Sequence, residues 1–363
     1  MNGIGIAANI LKPLETSSSI GMFARDTGGC LISKLALSRS SDETREISIA
    51  ELSESAIFYF SAPMLSKGAA NAFSKAAGID KKFINTPAKE LEAAAPKLLK
   101  KIKLAKFSRI ASVFALILPA VFAIAPVRNF ITLAKAGKEK FVNVVELDKT
   151  KHKAETKTAK DKAKKLFKFL GAVSAGAFAL TAGITAFSKN KIFYKKAEPF
   201  IDKIIKHFDF NKAGDLELKH YGALIYPASI AGYFYASRDK YEKQENARRF
   251  AVTVPLLFYG EKLIQNPIYK AADKKFKTDI FNGGAPLGYK EILKMPEALK
   301  KSALKAKNTA YGLTFFINTM LIAFGIALLN RIETKRRYET EHKHQILPSF
   351  RQEEKAIWKD MKI

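Results

Sequence analysis

Two stretches of this chain carry no charge at all, although 26% of its residues are charged. Phe169 to Ser188 runs 20 residues and Asn308 to Asn330 runs 23. Ile110 to Val127 adds 18 more, bounded by Arg109 and Arg128. A bilayer core about 30 Å thick needs about 20 apolar residues in a helix. All three runs fit that length, and Lys and Arg crowd their ends. A fourth, weaker run is Tyr221 to Ser237, 17 uncharged residues with four Tyr and Pro227 inside. The pattern predicts an all-α, polytopic helical membrane protein with about four transmembrane helices.

Two short apolar segments are each broken by a proline. Ser55 to Ser66 contains Pro63, and Phe250 to Gly260 contains Pro255. Both are too short to span as straight helices. They sit at corresponding places in a faint internal repeat. Phe60 to Leu65, Asp80-Lys81-Lys82-Phe83, Leu99-Lys100-Lys101 and Arg128-Asn129 occur in the first half. Val252 to Leu257, Asp273-Lys274-Lys275-Phe276, Leu299-Lys300-Lys301 and Asn330-Arg331 follow in the same order in the second. Successive features are offset by 192, 193 and 200 residues, as a duplication with small insertions would leave them. If the short runs are re-entrant, the two long spans run in opposite senses. If the short runs cross, the repeat is parallel.

The expected organisation is a loop-rich amino-terminal region (1–54), then a first repeat-like half (55–148) with its span at 110–127. A charged linker (149–165), central membrane helices (166–237), a second repeat-like half (238–340) with its span at 308–330, and a charged tail (341–363) follow. Ala88 to Lys106 reads as a Lys-rich amphipathic helix at an interface.

The formal net charge is +28, carried by 50 Lys and 12 Arg. Aromatic residues fall in the apolar segments and Lys in the loops. That separation points to anionic lipid headgroups, each basic residue contributing about 1 kcal/mol near the surface. No specific nucleic-acid partner is expected, because such recognition leans on Arg forks and stacked aromatics in one groove. Lys and Arg divide almost evenly between alternate loops, so the positive-inside rule assigns no orientation. The expected location is the cytoplasmic membrane of a bacterium. Gly3 to Leu11 lacks a basic start and does not read as a secretory leader.

Gly171, Ala175, Ala179 and Gly183 recur every four residues and share one helix face. Small faces let helices approach closely in lipid. This face is a candidate contact for a second copy of the chain.

Chemical motifs are sparse. Asp26-Thr27-Gly28 matches an aspartic-protease triplet but has no second triplet to share a proton with. Cys30, the only cysteine, excludes an intrachain disulfide and has no adjacent base. His342 and His344 with Glu339 and Glu341 read as a solvated tail rather than a metal site. No catalytic, cofactor or metal constellation is expected. Glu261, beside the Pro255 run, is a candidate ionisable group at membrane depth, although Lys262 next to it favours an interfacial position, and Asn318 inside the longest span could hydrogen-bond across helices. The first expectation is a non-enzymatic membrane scaffold. The alternatives are a small transporter or channel built from two repeats around Pro63 and Pro255, and a peripheral or soluble basic helical protein.

Overall fold

The computed structural model describes residues 30–86, 90–91, 96–148, 156–187, 190–210, 216–281, 286–318 and 323–342. The described residues form helices and connections, with no strand among them. In chain order the helices are α1 (Ile32–Ala36), α2 (Ser41–Ser55), α3 (Ala62–Ala77), α4 (Lys81–Asn85) and α5 (Leu99–Ala136). Next come α6 (Phe141–Val144), α7 (Thr156–Phe187), α8 (Lys191–Phe208), α9 (Tyr226–Ala236) and α10 (Lys240–Gly260). The last are α11 (Asn266–Phe276), α12 (Tyr289–Ile292), α13 (Glu297–Asn318) and α14 (323–342).

Helix begins well before residue 55, where a loop-rich region is expected. Ser40 caps α2 by accepting a hydrogen bond from the Glu43 amide, and Asp42 and Glu43 favour its positive end. The Asp26-Thr27-Gly28 triplet lies outside the described residues, as does the linker up to residue 155. From Thr156 the charged linker is already helix and runs straight into α7.

The two Pro-broken segments are continuous helices rather than re-entrant hairpins. A proline inside an α-helix removes a donor and collides with the carbonyl four residues back. Before Pro63 the chain avoids this by widening one turn. Residues Ala56–Ser61 form a π turn in which the Ala62 amide donates to Ile57, five residues back, and Pro63 follows at the start of α3. The same device recurs at Tyr221–Ile225 before Pro227 and at Glu261–Gln265 before Pro267. Pro63 is buried, whereas Pro255 lies inside α10 with its ring exposed.

Each half is thus an antiparallel pair of long rods. In the first, α2–α3 runs against α5: Glu46 lies near Arg128, Ser66 bonds Arg109, and Ala70 packs on Ala105. In the second, α10–α11 runs against α13–α14: Tyr241 bonds Glu341, Arg248 bonds Thr334, and Tyr269 packs on Tyr311. Both first rods end in a left-handed residue, Gly78 at φ 61° and Lys277 at φ 52°. A short helix, α4 or α12, then leads to the second rod.

These matches revise the register of the repeat. Asp80 caps α4 by accepting from Lys82, whereas Asp273 is buried near the end of α11 and accepts from Thr278, Ile280 and Phe281. They are not equivalent. The structural counterpart of Pro63 is Pro267, not Pro255.

Helix α5 is the hub. Rod α2–α3 and helices α7, α8 and α9 all pack on it. Helix α7 runs antiparallel to it, with Ser108 against Thr185 at one end and Ala123 against Leu166 and Leu170 at the other. Helix α9 runs parallel to it and comes very close. A Cβ built on Gly232 would lie 2.3 Å from the Phe122 carbonyl oxygen, so only glycine fits there. The predicted small face is not used in this way. The stripe from Gly171 to Ala179 is exposed and Gly183 half-buried, and a Cβ on Gly171 or Gly183 would touch nothing.

Two helices among the described residues, Leu99–Ala136 and Ala163–Ala186, are long and apolar enough to cross a membrane. The run Asn308 to Asn330 is helical on both sides of residues 319–322, which lie outside the described residues.

Candidate functional site

The amino ends of α2 and α10 meet in a cluster of buried charges. Ser40 caps α2, and Asp239 holds the start of α10 by accepting from the Tyr241 and Glu242 amides at 3.0 Å. In each case the carboxylate of the third helical residue reaches back to the amide before the cap. Glu43 accepts from the Arg39 amide at 2.5 Å, and Glu242 from the Arg238 amide at 2.8 Å. This reciprocal bonding satisfies donors that a helix start leaves unpaired.

The two arginines then cross between the halves. Arg39 binds its own Glu43 at 2.7 Å and Glu245 of the second half at 2.9 Å. Arg238 binds its own Glu242 at 3.0 Å and Glu46 of the first half at 2.7 Å. The contact is self-complementary, as across a two-fold axis. Both guanidinium groups lie over the ring of Phe141, at 5.2 and 5.7 Å. The two capping residues also hold α6: Asp239 accepts from the Val142 amide, and the Ser40 hydroxyl donates to the Val144 carbonyl.

Around this pair Arg128 binds Glu242 at 2.6 Å, and Arg249 lies 3.7 Å from Glu54. Lys34 pairs with Glu51, and Tyr233 donates to Glu54 at 2.9 Å. Burial pushes the Glu46 carboxyl up, but Arg238 and Arg128 outweigh it and hold the group below its ordinary range. Six Glu and six basic residues, counting Arg331, so share one buried site. Buried charges persist only when paired and hydrogen-bonded.

A cavity of about 140 Å³ lies in this centre, between the halves. It is lined by Arg39, Glu43, Arg128, Glu245, Asn330 and Arg331, among others. Cys30 also lines it.

None of Pro63, Pro255, Glu261 or Asn318 is among the residues lining the cavity. Glu261 opens the π turn before Pro267, and Asn318 ends α13; their side chains lie outside the described residues. His342 donates through Nδ1 to the Tyr338 carbonyl at 2.8 Å and stacks on the Tyr338 ring. No group of three or more His, Cys, Asp or Glu among the described residues could hold a metal.

A second polar knot lies near the other end of α5. Lys106 pairs with Asp209, and Lys103 bonds Glu198 and Asp202 at 3.0 and 2.9 Å, tying α8 to α5. His220 accepts from the Glu217 amide through Nδ1 at 2.8 Å and meets the Phe208 carbonyl through Nε2 at 3.0 Å. A ring that accepts at Nδ1 and donates at Nε2 is neutral. Burial lowers its pKa to about 4.

The ionic centre leaves a sequence signal. Ser38-Arg39-Ser40 with Glu43 and Glu46 matches Ser237-Arg238-Asp239 with Glu242 and Glu245, at a constant offset of 199 residues. No protein-family model, curated protein or solved structure matches this chain.

Proposed function

We propose that this chain is a multi-pass protein of a bacterial cytoplasmic membrane with a structural, non-enzymatic role, holding anionic lipid on Lys-rich surfaces. The observation that carries this reading is the exposure of α7. Only 6% of the residues in its most apolar 18-residue stretch are buried, against 61% in that of α5. Phe167, Phe169, Val173, Phe178 and Leu180 all face outward. A core helix of a water-soluble protein would cover such a surface. Lipid would cover it at no cost.

In this reading 110–127 and 169–188 cross the bilayer, with 221–237 and 308–330 as further passes. Arg128, Arg238 and Arg331 directly follow three of these runs and all reach the ionic centre. Those three runs would therefore cross in one sense, with α7 returning. The rods α2–α3 and α10–α11 would also traverse, which makes the repeat parallel. The small-residue face from Gly171 to Gly183 would meet a second copy.

The test is alkaline carbonate extraction of membranes after low-level expression. Retention in the pellet supports the reading. Release into the supernatant sinks it and leaves a peripheral basic helical protein.

A second reading, a two-repeat transporter or channel, is supported by the cavity between the halves, where transporter sites are found. Its path would pass the ionic centre rather than Pro63 and Pro255. Reconstituted vesicles that show no ion or solute flux would remove it.

A further inference from the structure

One place where the two-fold match of the ionic centre fails also lines the cavity. In the first half the long rod carries Arg128-Asn129 into the centre. Arg128 binds Glu242 at 2.6 Å, and its Nε donates to the Asn129 Oδ1 at 3.0 Å. Asn129 completes its bonding by donating to the Ala236 carbonyl at 2.7 Å. In the second half the order is reversed, Asn330-Arg331. One residue is about 100° of helix, so the guanidinium leaves the helix at a different angle.

The consequence is visible in both side chains. Asn330 still donates through Nδ2, to the Glu245 carbonyl at 3.2 Å. Its Oδ1 is buried and accepts no hydrogen bond, although the residue is only 8% exposed. Arg331 feels the charges of Glu43 and Glu245 but makes no hydrogen bond or ion pair with a described residue. Both residues line the cavity. A buried acceptor without a donor is destabilising, so such groups are met by a ligand or water. Arg offers a planar fork of donors suited to a pair of anionic oxygens.

We propose that this cavity binds a small oxyanion that also carries a hydroxyl group. Two of its oxygens accept from Arg331, and its hydroxyl donates to the Asn330 Oδ1. The 140 Å³ cavity admits an anion of the size of hydrogen carbonate, dihydrogen phosphate or a short 2-hydroxy acid. A single negative charge also supplies Arg331 with the partner that Glu242 supplies to Arg128. Chloride lacks both the oxygen pair and the hydroxyl, and it is the discriminating control.

The experiment is titration calorimetry on the full chain in detergent, with sodium phosphate, sodium hydrogen carbonate, sodium lactate and sodium chloride as separate probes. It does not depend on whether the chain spans a membrane. The expected result is saturable binding of at least one oxyanion, with Kd of about 1 mM or tighter, and no matching response to chloride. Arg331→Gln weakens it at least tenfold and Asn330→Leu weakens it too, while Lys335→Gln, exposed on the same helix, leaves it unchanged. If Arg331→Gln does not fold, Arg331→Lys keeps the charge without the fork and binds about tenfold more weakly. Absence of saturable binding to the wild-type chain overturns the proposal. So does equal binding by the Arg331 variant, or an equal response to chloride.

Discussion

Arg39 and Arg238, 199 residues apart, each clamp the first turn of their own rod and reach across to a glutamate of the other half. Each carboxylate that one of them binds has a counterpart bound by the other. The ionic centre is therefore the joint between the two rod pairs, and its strength should follow how deeply each carboxylate is buried.

Glu46 and Glu245 occupy equivalent positions but differ in exposure, with side chains 3% and 15% exposed. Removing one partner of a buried pair strands the other charge and costs about 3–5 kcal/mol. A more solvated pair is worth about 1 kcal/mol or less. Glu46→Gln should lower the melting temperature of the purified chain clearly more than Glu245→Gln. Denaturant titration in detergent checks this, and equal losses would mean that burial does not set the strength of the joint.

Gly232 and Gly171 should respond to alanine with opposite signs. In a helix interior, Gly to Ala gains about 1 kcal/mol from propensity. At Gly171 the new Cβ meets nothing, so that gain is kept. At Gly232 it would lie 2.3 Å from the Phe122 carbonyl, and α9 must move off α5. Overpacking of this kind costs about 1–3 kcal/mol. Gly232→Ala should melt below the wild type and Gly171→Ala at or slightly above it.

What could be read from the residues follows from which interactions are local. Uncharged runs are local, so α5 and the apolar part of α7 were legible at once. The order of matching features was legible, but which positions play matching parts in the structure was not. Lys is so frequent that Asp80-Lys81-Lys82-Phe83 and Asp273-Lys274-Lys275-Phe276 match without sharing a role. Pro63 and Pro255 read as breaks in the sequence, yet the π turn before Pro63 lets that helix continue and α10 runs on through Pro255. The ionic centre was missed because Arg39 to Glu46 reads as a polar, solvated stretch. Only its partner around Arg238, distant in sequence, makes its burial tolerable. Comparing the two Ser-Arg segments would have exposed it. The small stripe from Gly171 to Gly183 shows the converse: its spacing is a local fact, but what it contacts is not.

His220 predicts a loss of stability on the acid side of neutrality. Its ordinary pKa is 6.5 and its folded value is lowered to about 4 by burial, with the Glu217 amide aimed at Nδ1. A folded pKa below the unfolded one contributes stability that is fully present above about pH 6.5. That stability is lost as pH falls through about 4, because the unfolded chain takes up the proton first. The shift corresponds to about 3 kcal/mol. Melting curves at pH 7 and pH 4.5 should differ more for the wild type than for His220→Gln. If the two proteins lose stability in parallel, His220 does not contribute to the acid sensitivity.

Leu180 tests what covers α7. It lies inside the apolar stretch Ala163–Ala186 and is 66% exposed, with no described neighbour closing over it. If water surrounds it, Leu180→Arg removes an exposed apolar group and is neutral or favours solubility. If lipid surrounds it, the guanidinium must be carried into hydrocarbon, which costs about 2.5–3.5 kcal/mol near the centre of a spanning helix. The lipid-facing reading therefore expects Leu180→Arg to lower the carbonate-resistant fraction. Lys164→Arg, in the basic flank of the same helix, should leave that fraction unchanged. Equal extraction of both variants and the wild type would place this face of α7 against water or another protein instead. In that case the exposed Phe167, Val173 and Phe178 would belong to an interface between chains, and self-association of the purified protein would be the property to follow.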